Sequence, residues 1–264
     1  MTRAFSVESP RQPLPAPPHE RTPVPDFDDT PVERALVITA HPDDVDFGAA
    51  GAVASWVAEG TQVTYCVITD GDAGGFDPTV PRSEIPRIRR EEQVAAARIL
   101  GVDDVRFLGY RDGELEVTHG LRRDISRVIR DVRPQRALIQ SPERNWMRIP
   151  ASHPDHMAAG EAAIFAIYPD ARNPFAHTSL LADEGLDAWT VHDVWVMAAP
   201  EPNYVLDVTD RIDLKLAALR AHESQTSHMD DLDERIRGWM TGAAERGGLP
   251  PGRLAEAFLR TTIP

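Results

Sequence analysis

The chain has 264 residues, 42% of them hydrophobic and 27% charged, with a single cysteine. That length and apolar content suit a globular enzyme with a sizeable core, while one cysteine excludes an internal disulfide and any cysteine-rich zinc site. A net charge of −14 excludes a binder that neutralises a phosphate backbone with clustered Lys and Arg.

Residues 1–31 hold eight of the 23 prolines and no apolar periodicity, so they read as an extended or disordered N-terminal extension. Residues 32–264 read as one domain. Ala35–Ala40 is a short apolar strand, and Ala49–Glu59 a helix ended by Gly60. Val63–Thr69, rich in β-branched residues and carrying Cys66, is a second strand. Arg89–Leu100 is a helix closed by Gly101, Val105–Leu108 a third strand, and Leu121–Val132 a helix stopped before Pro134. Ala137–Gln140 is a fourth strand and Asp155–Ala166 a helix; Asp193–Ala198 and Tyr204–Val208 are further strands, followed by a helix over Ile212–His222. Arg235–Met240 and Leu254–Arg260 are expected to be helical. Strands alternating with helices of this length predict a Rossmann-like three-layer α/β sandwich with a mostly parallel sheet. Functional groups then belong just beyond the carboxyl ends of strands.

Two segments meet that condition. His41-Pro42-Asp43-Asp44 follows the first strand directly, placing one imidazole and two carboxylates at its carboxyl end. His153-Pro154-Asp155-His156 lies between the fourth strand and the next helix, with His153 expected as the N-cap and Pro154 as the first helical residue. Nitrogen and oxygen donors of this kind suit a catalytic zinc, which keeps three protein ligands. Either motif alone matches an ordinary turn or helix cap; two of them at strand ends point to one metal site. Asp70-Gly71-Asp72-Ala73-Gly74-Gly75, after the second strand, reads as a mobile loop at the site mouth.

On these residues the sequence resembles the PIG-L/LmbE-like zinc-dependent N-acetylglucosaminyl deacetylases. The supporting matches are Thr69-Asp70-Gly71, Arg89-Arg90-Glu91-Glu92, Leu100-Gly101, Asp112-Gly113, Lys215 to Leu219 and His222-Glu223-Ser224-Gln225. The resemblance implies a LmbE-like fold and one zinc ion per chain, held by His41, Asp44 and His156. It implies Asp43 as the general base, His153 as the group that steadies the oxyanion or protonates the leaving amine, and Asp155 behind it. Arg89 and Asp112 are implied as contacts to sugar hydroxyls. Two positions depart from the family pattern: Val45 stands where an acid is usual, with Asp46 the next carboxylate, and Ala151 stands where some members carry tyrosine.

The expected activity is hydrolysis of an N-acetyl amide on an amino sugar, with a metal-bound water activated by Asp43. An amidase acting on a thiol conjugate such as a mycothiol adduct and a non-catalytic sugar-binding module are the alternatives. Histidine and carboxylate ligands also accept other divalent metals. No apolar run approaches the roughly 20 residues of a membrane span, and no secretory signal is visible. A cytoplasmic protein with a small-molecule N-acetylated sugar substrate is expected, with neither nucleic acid nor membrane as partner. Homo-oligomerisation is left open.

Overall fold

The computed structural model describes residues 27–264. Most of the expected extension, residues 1–26, lies outside the described residues. Seven strands form: β1 (Arg34–Thr39), β2 (Gln62–Thr69), β3 (Asp104–Tyr110), β4 (Arg136–Gln140), β5 (Asp193–Met197), β6 (Tyr204–Asp207) and β7 (Ala255–Thr262). The helices are α1 (Asp44–Ala58), α2 (Ile85–Ile99), α3 (His119–Val132), α4 (Pro154–Phe165), α5 (Thr178–Ala182), α6 (Ile212–Arg220), α7 (Glu223–Thr226) and α8 (Leu232–Arg246).

They make one seven-stranded sheet in the order β3-β2-β1-β4-β5-β7-β6. From β3 through β5 every pairing is parallel; β7 runs antiparallel to both its neighbours. Successive side chains of a strand point to opposite faces, and both faces are apolar here. Leu36, Ile38 and Ile68 face Leu121, Ile125 and Ile129 of α3 and Ala159 and Ala162 of α4. Val37 and Tyr65 face Val45, Ala49 and Val53 of α1 and Ala96 and Ala97 of α2. Each fully buried Leu or Ile contributes about 1.5–3 kcal/mol, so the expected three-layer α/β fold follows from the strands' double-sided burial.

One expectation fails. Leu254–Arg260 is not a helix but the greater part of β7. Its apolar residues at 254, 255, 257, 258 and 259 fit a helical stripe as well as a strand. Hydrogen bonding to β5 on one side and β6 on the other decides for the strand. Charged residues of β7 are also drawn into the interior. Glu256 accepts from the Gly51 and Ala52 N–H groups of α1 at 3.0 and 2.8 Å and from Lys215 Nζ at 2.8 Å. Lys215, the chain's single lysine, also donates to Phe47 O. Arg260 pairs with Asp193 and stacks over Trp195 and Phe27.

The chain leaves β1 toward β2 and β3 but leaves β4 toward β5, so the crevice between the β1 and β4 carboxyl ends is the topological switch point where open parallel sheets bind ligands. Gly160 lets α4 settle onto that edge: a Cβ there would lie 2.3 Å from Gln140 O. Among the described residues, no helix is long and apolar enough to cross a membrane.

Candidate metal centre

Both histidine motifs meet at this crevice. Helix α1 begins at Asp44, five residues earlier than its apolar pattern suggests, with Asp44 and Asp46 in the first turn where carboxylates favour the helix dipole. Asp44 Oδ2 also accepts the His41 N–H at 2.7 Å, closing the turn. Helix α4 starts at Pro154 with His153 as its N-cap, as expected, the His153 Nδ1 accepting the Asp155 N–H at 3.2 Å.

His41 presents its two ring nitrogens to two different groups. Nδ1 lies 3.2 Å from His156 Nε2 and 3.4 Å from Asp44 Oδ2, and His156 Nε2 lies 3.0 Å from Asp44 Oδ1. Nε2 lies 3.1 Å from Asp112 Oδ1 and 3.2 Å from Asp155 Oδ2. Among the described residues, donor atoms converge within 4.8 Å in two sets, His41–His153–His156 and His41–Asp112–Asp155. The carboxylates of the second set are already engaged: Asp155 accepts the Gly113 and Leu115 N–H groups and Asp112 the Ala73 N–H. On the Nδ1 side Asp44 is engaged as well, by the His41 N–H, and two imidazoles face each other beside it. On this side the facing nitrogens of His41 and His156 lie 3.2 Å apart, close to the ligand–ligand separation of about 3.3 Å that tetrahedral zinc bonds of roughly 2.0–2.1 Å require, and Asp44 faces them with different oxygens, Oδ2 toward His41 and Oδ1 toward His156.

The charges agree. Burial pushes the His41 pKa down, but the Asp44 charge and hydrogen bonds that His41 donates to Asp112, Asp155 and Asp44 outweigh it and raise it to about 12. Burial likewise opposes the shift at His156, whose pKa Asp44 raises. Burial works against ionising Asp44 too, yet His156 and His41 hold it well below the usual carboxylate range. Such a cluster draws positive charge, which a proton or a divalent cation can supply. The residues fit a metal ion.

Asp43 sits apart from these donors. Burial raises its pKa to about 6, with Arg89 opposing and Asp44 reinforcing the shift. Arg89 is 4% exposed and donates to Asp43 Oδ2, Pro42 O and Gly71 O. A Cβ on Gly71, whose φ is +62°, would lie 2.5 Å from Arg89 Nη1. The loop over residues 70–75 is thus tied into the site by Arg89 and by bonds from Ala73 N–H to Asp112 and from Asp112 N–H to Asp72.

The PIG-L model, described as GlcNAc-PI de-N-acetylase, matches residues 36–167. The diacetylchitobiose deacetylase of Thermococcus kodakarensis is 37% identical over 198 residues, 74% of this chain and 70% of that one. The chain belongs to the PIG-L family. A probable N-acetyl-α-D-glucosaminyl L-malate deacetylase 2 of Bacillus subtilis is 33% identical, the match covering 78% of this chain and 89% of the relative. Among solved structures, the inhibitor-bound N,N'-diacetylchitobiose deacetylase of Pyrococcus horikoshii aligns with a TM-score of 0.81 at 30% identity, covering 89% of this chain and 87% of that one.

In this PIG-L chain the remaining motif residues take specific partners. The Asp155 carboxylate reaches His41 of the other motif, and its contact with His153 is through the backbone N–H. Arg89 and Asp112, expected to meet sugar hydroxyls, bond within the protein to Asp43 and His41. One residue has no sequence signal, Gln93, and two noted in the sequence, Asp46 and His222, have no role there. Asp46, Gln93 and His222 form a fully buried group under Asp43. The family-like His222 to Gln225 segment and the carboxylate of Asp46 after Val45 are the sequence signals for it.

Proposed function

We propose that this centre hydrolyses the N-acetyl amide of an acetamido sugar, with Asp43 as general base and His41, Asp44 and His156 holding zinc. The chain is a deacetylase of the N-acetylglucosamine type, a hydrolase of a linear amide. Water adds across the C–N bond, giving acetate and the free amino sugar. The observation that carries the reading is the division of two adjacent carboxylates: Asp44 turns its oxygens to His41 and His156, while Asp43 is held apart from them by Arg89 and Gln93.

Zinc in this donor set would supply a Lewis acid for the acetyl carbonyl and lower the pKa of water to about 7. Asp43, largely ionised at neutral pH yet more basic than a free carboxylate, takes the proton of the attacking water. His153 has its pKa lowered by burial and by the neighbouring His41 and His156. With Nδ1 accepting the Asp155 N–H, the proton of the neutral ring sits on Nε2. That tautomer supports His153 as the donor to the carbonyl oxygen as negative charge develops there. Asp155 fixes the ring of His41 so that Nδ1 stays turned toward Asp44 and His156. A non-catalytic sugar module would have no use for Asp43.

Acetate release from a panel of N-acetylated mono- and disaccharides, with a mycothiol-type thiol conjugate as a further arm, tests the reading. The expected result is release from an acetamido sugar that stops with chelator and returns with zinc. Cleavage confined to the thiol conjugate would replace the deacetylase with an amidase; turnover indifferent to chelator would remove the metal.

A further inference from the structure

The C=O of Pro42 and the N–H of Asp43 belong to one peptide bond, and α2 grips both of its ends. Arg89 Nη2 donates to Pro42 O at 2.6 Å, and the Asp43 N–H donates to Gln93 Oε1 at 2.8 Å. Arg89 and Gln93 are four residues apart, so one helical turn stacks them on the same side of α2. The nitrogen of Arg89 that bonds the peptide also bonds Asp43 Oδ2 at 3.1 Å, setting backbone and carboxylate together.

Gln93 is itself held. Its Nε2 donates to Asp46 Oδ2 at 2.8 Å, and His222 Nε2 lies 2.8 Å from the same oxygen. An oxygen that receives two donors turns the Gln93 NH2 toward Asp46 and its carbonyl toward Asp43, so the amide has one orientation. His222 is held by α7, whose Ser224 bonds Glu92 of α2 through both N–H and Oγ at 2.7 Å.

Asp46, Gln93 and His222 are all 0% exposed. Asp46 Oδ1 and His222 Nδ1 have no hydrogen-bond partner among the described residues. An apolar trio would fill this space without burying unpaired polar atoms. What the polar trio provides is a directed series of bonds ending at the N–H of Asp43. That residue has φ +86°, a conformation a non-glycine residue keeps only where its surroundings over-determine it.

We propose that Gln93, backed by Asp46 and His222, is a positioning residue for the deacetylation. With Arg89 it locks the Pro42–Asp43 peptide, so that two adjacent carboxylates serve different tasks: Asp44 faces the histidines while Asp43 stays free to take a proton. This rests on the reading of Asp43 as the base.

The test uses the full chain with Gln93→Met, which removes the amide at similar volume, and with His222→Ala and His222→Gln. Metal content, melting temperature, kcat and KM are measured for each, and Gln93→Met is crystallised. Gln93→Met and His222→Ala are expected to keep one metal per chain and lose kcat about 10- to 100-fold, as loss of supporting residues typically does. KM should stay within about twofold. His222→Gln, which retains a donor near the Nε2 position, should recover most of kcat. In the Gln93→Met crystal Asp43 should leave the positive-φ region.

Unchanged kcat in Gln93→Met, loss of kcat in step with loss of metal, or a His222→Gln variant no better than His222→Ala would each overturn the proposal. Should His222→Ala not fold, Gln93→Met decides alone. A parent protein that releases no acetate from any substrate would sink the deacetylase reading instead, and the φ of Asp43 in the Gln93→Met crystal would still judge the clamp.

Discussion

Asp155 Oδ2 lies 3.2 Å from His41 Nε2, so the second His-Pro-Asp motif steadies the histidine of the first. With Nε2 facing that carboxylate, Nδ1 is the nitrogen turned toward Asp44 and His156 and the one left to hold a cation. Asp155→Asn keeps the size but removes the charge. Metal affinity should fall about 10- to 100-fold, measured by competition with a chromogenic chelator; an unchanged affinity would separate Asp155 from the ligand set.

Asp43→Asn should retain one metal per chain and lose roughly 10²–10⁴ in kcat, the usual worth of a positioned base. The parent's kcat/KM should fall on the acid side of about pH 6, where the Asp43 carboxyl takes up its proton, and the variant's residual activity should lack that limb. Full activity in Asp43→Asn would remove the assignment.

His156→Ala opens one corner of the donor triangle. The purified variant should carry less than one metal per chain by elemental analysis and show no turnover. Stoichiometric metal with the imidazole gone would mean that His153, which converges on His41 with His156, is a ligand in its place.

Without a metal, His41 has its pKa raised to about 12 and His156 is raised as well. At pH 7 His41 is then protonated on both nitrogens and must surrender the Nδ1 proton to bind a cation. Adding zinc to chelated protein should release about one proton or more per ion. Calorimetry in buffers of differing ionisation enthalpy reads this directly, and no release would contradict the ligand assignment of His41.

Lys215→Met should cost about 3–5 kcal/mol, because it leaves the 5%-exposed Glu256 without its cation. The double variant Lys215→Met/Glu256→Gln should be less damaged than that single change. Chemical denaturation checks the order; a double variant weaker than Lys215→Met would show that the charge of Glu256 itself supports α1.

The sheet and the two histidine motifs were readable because both are locally encoded. A run of β-branched residues marks a strand, and three-residue spacing puts His153 and His156 on one helical turn, their ring centroids 5.2 Å apart. Pro154 marked the start of α4 for the same local reason. What escaped depends on contacts distant in sequence. Gln93 lies 50 positions from Asp43, and His222 176 from Asp46. No local pattern distinguishes them from ordinary helix and loop residues. The bond of Arg89 to Asp43 is equally illegible, since a helix-surface arginine and a buried clamp have the same local sequence. Segment 254–260 failed because its apolar spacing fits two periods, and only the open edges of β5 and β6 choose between them.

Glu256 belongs to β7, yet it bonds two N–H groups of α1, the helix that carries Asp44. The nascent chain therefore makes both histidine motifs long before it makes the strand whose carboxylate holds the middle of α1. Until residue 256 has been made, the Gly51 and Ala52 N–H groups of that helix lack the carboxylate that holds them in the finished fold.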